Sequence, residues 1–200
     1  MTDIADQLKA VHRAVRRGET MGVLLSRTYD ARADDVWDAL TDPERLKRWF
    51  LPISGRLEVG GSFQLEGNAG GDILACDRPA LLRVTFGGPD SIVELRLTEH
   101  DERTQVELEH TVPLEFAPNG GGALWVGPGW DGGFLALGLH LSGEVQGDPV
   151  EAANSPEVQR FNLESIAVWE AVIRESGTAT EEELAEAVGV SKAQFAPDLV

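Results

Sequence analysis

Histidine is the residue type through which this 200-residue chain could perform acid–base chemistry near neutral pH. No pair among its four histidines has metal-ligand spacing; they are His12, His100, His110 and His140. The sequence also lacks the Gly-x-Ser-x-Gly turn of hydrolases and the His-Glu-x-x-His pattern of zinc proteases. The glycine-rich segment 67–71 lacks the Gly-Lys-Ser/Thr ending of a phosphate-binding loop. We therefore expect neither a metal site nor a cofactor.

His110 is the strongest candidate for a polar group inside a binding site. It alternates with Val106 and Leu108, which places the three side chains on one face of a predicted strand. Such a histidine can be a hydrogen-bonded core residue, a polar anchor for a ligand, or a general base. No second inward acid or base can be placed beside it, because Glu66 and Asp131 stand near element ends and are expected to be caps or solvated. The enzyme hypothesis is therefore the weakest.

Aromatic residues are concentrated in the segment 34–50, DDVWDALTDPERLKRWF. Asp42-Pro43-Glu44 has the pattern of an N-cap, a first-turn proline and a first-turn acid, and so predicts the start of a second short helix. Trp37 packs most simply in the core. Trp49 and Phe50 stand where the second helix ends, and both rim packing and ligand contact are compatible with that position.

A period-two pattern between residues 55 and 112 predicts an antiparallel meander with one apolar face. Its strands are GRLEV, SFQLE, DILAC, LLRVTF, SIVELRLTE and TQVELEHTV, separated by turn-forming segments. The apolar face includes Phe63, Leu65, Val93, Leu95 and Leu108 beside His110. An apolar face needs a cover, and the segment 130–144 is predicted to supply it as a helix, with a stripe formed by Trp130, Phe134, Leu137 and Leu141.

Both ends of the chain are predicted to be helical. At the N-terminus, Ile4, Leu8, Val11 and Val15 recur at helical spacing up to Gly18, and the basic face of this helix is expected to be solvated or to lie on the protein's own acidic surface; that face holds Lys9, Arg13, Arg16 and Arg17. The C-terminal segment predicts helices over 157–175, with Trp169 on its apolar face, and over 180–188, where Thr180 and Glu183 form a capping box.

Composition excludes several classes of function. The formal net charge of −17 argues against nucleic acid as a main partner, because nucleic-acid binders need a basic face. No apolar run approaches the roughly 20 residues of a membrane span, and the N-terminus does not have the apolar core of a secretory signal. We therefore expect a cytoplasmic protein. Cys76 is the single cysteine, so no internal disulfide can form, and we expect it to be a buried apolar residue.

Four segments, which occur in a fixed order along the chain, resemble the START-like (SRPBCC) superfamily, and within it the family named after the activator of heat-shock-protein-90 ATPase. They are RTYDARADDVWDALTDPERLKRWF (27–50), GRLEVGGSFQLEGNAGGDIL (55–74), VELEHT (106–111) and GPGWDGGFLALGLHL (127–141). The resemblance covers about residues 22–144. It implies an α+β helix-grip fold, in which a curved antiparallel β-sheet wraps around a long C-terminal helix, here with extra N- and C-terminal helices. The implied organisation is an N-terminal amphipathic helix (1–20), a START-like domain (21–145) and an acidic helical extension packed on it (146–200).

The resemblance also implies an apolar cavity between sheet and helix, since members often bind lipids, polyketides or other apolar molecules. The leading hypothesis is a small hydrophobic ligand bound by Trp49, Phe50, Phe63, Leu65, Val93, Leu95, Leu108, His110, Trp130, Phe134 and Leu137. One alternative is an interaction or chaperone-cofactor-like module, in which the Trp169 face of the acidic tail docks a partner or a second copy as a homodimer. Another is a cyclase- or hydrolase-like enzyme that uses the same cavity.

Overall fold

The computed structural model describes residues 4–144 and 147–199. The strands are β1 (His12–Arg17), β2 (Thr20–Tyr29), β3 (Ile53–Gly55), β4 (Ser62–Leu65), β5 (Gly70–Asp77), β6 (Leu81–Thr85), β7 (Ile92–His100) and β8 (Arg103–Pro113). The helices are α1 (Ile4–Lys9), α2 (Ala33–Thr41), α3 (Pro43–Leu46), α4 (Ala123–Leu141), α5 (Pro149–Ala153), α6 (Pro156–Ser176) and α7 (Glu181–Phe195), and a short 3-10 turn (Gly120–Gly122) precedes α4.

The strands form one sheet in the order β1-β2-β8-β7-β6-β5-β4-β3, and the consecutive strands from β3 to β7 pair antiparallel. Long helix α4 follows the last strand, and further helices stand at both ends of the chain. The predicted α+β helix-grip fold is therefore confirmed. The period-two prediction also holds in burial, since Val93 and Leu97 in β7 and Val106, Leu108 and His110 in β8 are buried, while Leu95 is half-buried.

The chain divides into two compact units. The first comprises Met1–Leu25, Thr111–Leu135 and Glu151–Val200, and the second comprises Ser26–His110 and Ala136–Val150. The predicted division at residues 20 and 145 stays a prediction, and its second boundary, between residues 145 and 146, lies outside the described residues.

The predicted N-terminal helix is wrong beyond Lys9. Residues 12–17 form β1 instead, and the Gly18 backbone N–H donates to the carbonyl of Thr20 in the turn that leads into β2. The apolar spacing was misleading because Leu8 belongs to a short helix, whereas Val11 immediately precedes a strand; both are buried. Pairing with a long neighbouring strand outweighs a weak helical preference here. The side chain of Ile4 lies outside the described residues.

Two predictions on the strands are also wrong. The segment GRLEV is not a strand, since β3 ends at Gly55 and the chain then turns, with Leu57 and Val59 exposed at 40% and 56%. Gly55 and Gly60 have φ angles of 120° and 78°, which a continuous strand does not use. Cys76 is exposed rather than buried; it is the second-last residue of β5, and Asp77, at the strand end, is exposed as well.

The other predicted helices are present. Helix α3 is shorter than predicted, since it ends at Leu46 and not at Trp49 and Phe50, whereas α4, α6 and α7 are longer than predicted. The Asp42 carboxylate accepts hydrogen bonds from the backbone N–H groups of Glu44 and Arg45, which confirms the predicted cap of α3. The capping box between Thr180 and Glu183 is present, and α7 continues past Gly189 to Phe195. Helix α4 starts seven residues before the predicted position, because Pro128 lies inside it without ending it.

Candidate functional site

His110 lies in a small aromatic cluster of the second unit. Its Nε2 atom is 2.8 Å from the Ser91 hydroxyl oxygen, and its ring meets the Phe86 ring edge-on at 6.0 Å between centroids. Phe86 in turn lies 6.4 Å from Phe63. The β6–β7 hairpin provides this geometry, because the Phe86 backbone N–H donates to the Ser91 carbonyl and fixes both residues at the turn beside β8.

Burial determines the charge of His110. Desolvation lowers the pKa of the imidazole to about 4, so His110 is neutral at pH 7. A neutral imidazole has one donor and one acceptor nitrogen, and a serine hydroxyl can complement either role at Nε2. The cluster therefore offers one neutral hydrogen-bonding pair in apolar surroundings. Four further predicted contact residues belong to the same unit: Leu65, Val93 and Leu108, which are buried, and Leu95, which is half-buried.

Trp49 and Phe50 form a second aromatic group of that unit. Their ring centroids are 5.5 Å apart, and Trp49 also stacks on His140 of α4 at 6.3 Å. The Trp49 indole N–H donates to the carbonyl of Ala39 at 2.9 Å, and the residue is only 6% exposed. Of the two sequence interpretations, this environment favours packing for Trp49, whereas Phe50 is half-buried. Trp37 is buried, as expected of a core residue.

His140 connects Trp49 to a charged pair. Its Nε2 atom lies 3.4 Å from Nη2 of Arg45, which donates through Nη1 to the Asp35 carboxylate at 2.6 Å. Desolvation lowers the pKa of His140, the charges of Arg45 and Arg48 lower it further, and Asp35 opposes the shift. A neutral His140 can accept from the Arg45 guanidinium, so this arrangement suits the uncharged ring.

The predicted contact residues of α4 fall into different units. Trp130 and Phe134 belong to the first unit, half-buried and buried respectively, and Leu137 is a buried residue of the second. The structure thus brings Phe63 and His110 together through Phe86, and Trp49 together with Phe50.

Asp131 is buried, whereas its position in the sequence predicted a cap or a solvated residue. Its side chain is 0% exposed instead of capping a helix or facing solvent. Its carboxylate accepts from Arg13 Nε at 3.0 Å, from the Ser165 hydroxyl at 2.6 Å and from the Trp169 indole N–H at 3.0 Å. One feature of the sequence could have indicated this burial: Asp131 is the single acidic residue within the apolar sequence of α4.

Arg13 completes this buried network of the first unit. Its Nη2 atom is 2.9 Å from the Asp131 carboxylate, and its Nη1 donates to the carbonyls of Leu8 and Val11. Arg13 was expected to be solvated or to lie on the protein's acidic surface. It is instead buried. Burial raises the pKa of Asp131, and the Arg13 charge and the three donors oppose that rise. The network joins β1, α4 and α6.

The face of α6 that was expected to dock a partner is not accessible. Trp169 is fully buried in the first unit, and a Cβ atom at Gly127 would lie 2.5 Å from its indole ring. The hypothesis that the Trp169 face binds another molecule is therefore wrong, because this face already packs against α4.

Two further properties concern residues 4–144 and 147–199. Within these ranges, no three His, Cys, Asp or Glu side chains form a group that could hold a metal ion. None of the helices there has both the length and the apolar character needed to cross a membrane.

Comparison with known proteins gives a family and close structural relatives. The family model described as Activator of Hsp90 ATPase homolog 1-like protein matches residues 30–133. The crystal structure of CalU16 from Micromonospora echinospora is 37% identical, with 82% of this chain and 98% of that chain covered and a TM-score of 0.69. Its solution NMR structure gives 39% identity, coverage of 83% and 96%, and a TM-score of 0.70.

A more distant structure shares the fold. DynU16, described as a protein in the dynemicin biosynthetic locus, is 23% identical, with 66% of this chain and 49% of that chain covered and a TM-score of 0.55. No curated protein matches the chain.

Proposed function

The chain belongs to the Activator of Hsp90 ATPase homolog 1-like family, and on that premise we propose that it binds a small hydrophobic molecule non-covalently. The observation that carries the proposal is the His110 cluster, in which one neutral polar pair, Ser91 and His110, lies among aromatic rings. Binding sites for small molecules typically combine an apolar lining with a few polar groups that orient the ligand.

The proposed contacts are those of the second unit. Apolar contact comes from a set of predicted residues, with His110 as the polar anchor: Phe50, Phe63, Leu65, Val93, Leu95, Leu108 and Leu137. Binding free energy would come mainly from the apolar area removed from water, at roughly 25 cal/mol per Å² before the costs of association are subtracted. A neutral His110 lowers the cost of placing an apolar molecule beside it, since no buried charge loses its hydration.

The proposal is tested by searching for a bound molecule. Native mass spectrometry of gently purified protein, followed by a thermal-shift screen of lipids and aromatic compounds, should give a bound species or a stabilising compound. Phe86→Leu should weaken that stabilisation because it removes the ring between Phe63 and His110, whereas Leu74→Ala, at an exposed position of β5, should leave it unchanged. Absence of any bound species and of any stabiliser would contradict the proposal.

A second candidate function is a cyclase-like enzyme that uses His110 as a general base. The hydrogen bond to Ser91 and the neutral state of the ring at pH 7 favour it. Activity on poly-carbonyl substrates should then increase as pH rises through about 4 and remain constant above it, and His110→Gln should abolish it. A substrate turned over equally fast by His110→Gln would exclude this role.

Location and assembly complete the proposal. We place the protein in the cytoplasm, as the sequence analysis expected. A homodimer stays an alternative to a monomer, and light scattering of the full chain across a concentration series distinguishes the two.

A further inference from the structure

The first unit exposes three large apolar side chains where α7 lies beside the start of α4. Phe116, in the segment before α4, is 65% exposed, Trp125 in the first turn of α4 is 44% exposed, and Val190 of α7 is 50% exposed. Single exposed apolar residues are common on proteins, whereas a group of them marks an interaction site. We call these three residues the Trp125 surface.

The packing of α7 on α4 places two of these residues on one side of the unit. The Ser191 hydroxyl donates to the Leu124 carbonyl at 2.7 Å, and the Gln194 side-chain amide donates to the Trp125 carbonyl at 3.4 Å. Val190 stands one turn before Gln194 and therefore shares its side of α7. The side of α7 that carries Val190 is thus the side that meets Trp125.

Phe116 joins this side through the segment that leads into α4. A Cβ atom at Gly122 would lie 2.8 Å from the Cβ atom of Ala117 and 3.8 Å from the Trp125 ring, so the chain next to Phe116 passes close to that ring. The backbone N–H groups of Phe116 and Ala117 both donate to the Pro113 carbonyl, which fixes the turn. A surface held in this way loses little conformational freedom when a partner binds.

Carboxylates dominate the two segments that form the Trp125 surface. Residues 113–129 and 181–199 together contain six acidic residues and one basic residue. Three of the six carboxylates have partners within the unit, in an ion pair, a capping box and a hydrogen bond; they are Glu181, Glu183 and Asp198.

The other three carboxylates flank the apolar side chains. Glu115 is the residue before Phe116, and Glu186 lies one turn before Val190 on α7, with Glu182 one turn before Glu186. All three are exposed, and none of them has an ion pair within the described part of the chain. The Trp125 surface therefore combines an apolar centre with negative charge at its edge.

We propose that the Trp125 surface binds a basic amphipathic segment of another protein, whose apolar side chains contact Trp125 and Phe116 and whose cations lie beside the carboxylates. Interface cores are enriched in aromatic residues, and complementary charge steers association. A second copy of this chain is a poor occupant, because a symmetric contact would bring the same carboxylates together in a chain of net charge −17. The surface belongs to the first unit, so the inference does not depend on the ligand proposed for the second.

Titration of labelled model peptides with the full-length protein tests the inference. The probe is a short peptide of leucine and lysine that presents its leucines on one face of a helix. Two comparison peptides separate the two contributions: one has glutamate in place of each lysine, and the other has serine in place of each leucine. Fluorescence anisotropy measures the affinity of each peptide for wild type and variants.

We expect the leucine–lysine peptide to bind wild type more tightly than either comparison peptide does. Trp125→Gln should weaken this binding at least about tenfold, as for loss of an aromatic anchor at an interface. Phe116→Gln should weaken it as well, and Glu182→Gln/Glu186→Gln should weaken it and make it less sensitive to salt.

The matched control is Leu74→Gln, at a residue of the second unit that is 44% exposed, as Trp125 is. It should change the affinity less than about twofold, as is usual for a surface substitution away from a site. Circular dichroism checks that each variant is folded, which the exposure of Trp125 and Phe116 predicts.

Four results would overturn the inference. They are failure of the leucine–lysine peptide to bind wild type, equally tight binding of the glutamate peptide, equal affinities of wild type, Trp125→Gln and Phe116→Gln, and dimerisation of wild type that Trp125→Gln abolishes, which would assign the surface to a second copy. Loss of peptide binding in Phe86→Leu would place the peptide at the His110 cluster and would overturn it too. Absence of any stabilising hydrophobic compound contradicts the proposed function alone, because that ligand is assigned to the second unit.

Discussion

The pKa of His110 links a single side chain to the stability of the protein. The folded pKa of about 4 lies below the ordinary value of 6.5, so the unfolded chain takes up a proton first as pH falls. Stability present above pH 6.5 is therefore lost progressively between pH 6.5 and 4. One such group contributes a slope of about 1.4 kcal/mol per pH unit in that window.

This slope predicts the behaviour of two variants. Denaturant unfolding between pH 6.5 and 5 should show that His110→Gln, which cannot be protonated, is less pH-sensitive than wild type. His100→Gln, at an exposed position, is the matched control and should keep the wild-type slope. Equal slopes for wild type and His110→Gln would show that His110 is not the group responsible.

Removing the charge of Asp131 should be among the most damaging single changes. Asp131→Asn leaves the buried Arg13 guanidinium without its counter-charge, and breaking a buried pair in this way costs about 3–5 kcal/mol. The comparison variant is Asp35→Asn, which breaks the more exposed pair with Arg45 and should cost about 1 kcal/mol or less. Chemical unfolding of both variants measures the difference. Similar costs would mean that the buried pair contributes no more than a surface pair does.

At the scale of elements, the glycines of α4 have opposite roles. Gly127→Ala would place a Cβ atom 2.5 Å from the Trp169 indole, where Trp169 has no free space to move into. Overpacking of this kind costs about 1–3 kcal/mol, and the better helix propensity of alanine offsets only part of it. At Gly133 nothing lies within 4 Å of an added Cβ atom, so Gly133→Ala should stabilise by about 0.5–1 kcal/mol. Thermal melts that rank the two variants in the opposite order would contradict the packing of α4 on α6.

Local signals allowed most elements to be predicted. Alternation of apolar residues marked β4 to β8, and the Asp42 and Thr180 caps marked two helix starts, because both signals depend on neighbouring residues alone. Strand β1 had no such signal. It is a strand because β2 lies beside it, and Arg13 within it is buried because Asp131 lies 118 residues away in the sequence.

The candidate site was predictable only in part, because its contacts join residues that are far apart in the sequence. Strand alternation placed His110 inward with Leu108, and the structure agrees. Alternation within one strand cannot show that Ser91, at a hairpin turn, meets His110, or that His140 of α4 stacks on Trp49. Those contacts depend on register between strands and on the position of a helix, which no local pattern contains.

At the scale of the whole molecule, the acidic C-terminal segment is part of the fold. Residues 144–200 contain 12 acidic and 3 basic residues, so they carry −9 of the net −17. They also contain Ser165 and Trp169, two of the donors to Asp131. Removing these residues would take away buried hydrogen-bond donors to Asp131. It would also weaken the electrostatic repulsion between protein molecules.

A chain truncated after Glu144 should therefore aggregate or unfold, and light scattering with circular dichroism would detect either outcome. The control is the full-length double variant Glu182→Gln/Glu186→Gln, which lowers the charge at exposed positions of α7 without opening the first unit. It should behave like wild type. A folded and monodisperse truncation would show that the C-terminal segment is dispensable.

The distance along the chain between Arg13 and Asp131 also bears on how the protein is made. A ribosome that adds roughly 5 to 20 residues per second needs roughly 6 to 24 s to pass from one residue to the other, 118 positions later. Ser165 and Trp169 emerge later still. During that interval β1, at one edge of the final sheet, has an arginine destined for burial and an unpaired strand edge that invites association with other chains. The residues around Arg13 are thus synthesised well before their native partners, and the nascent chain needs protection at this strand throughout that interval.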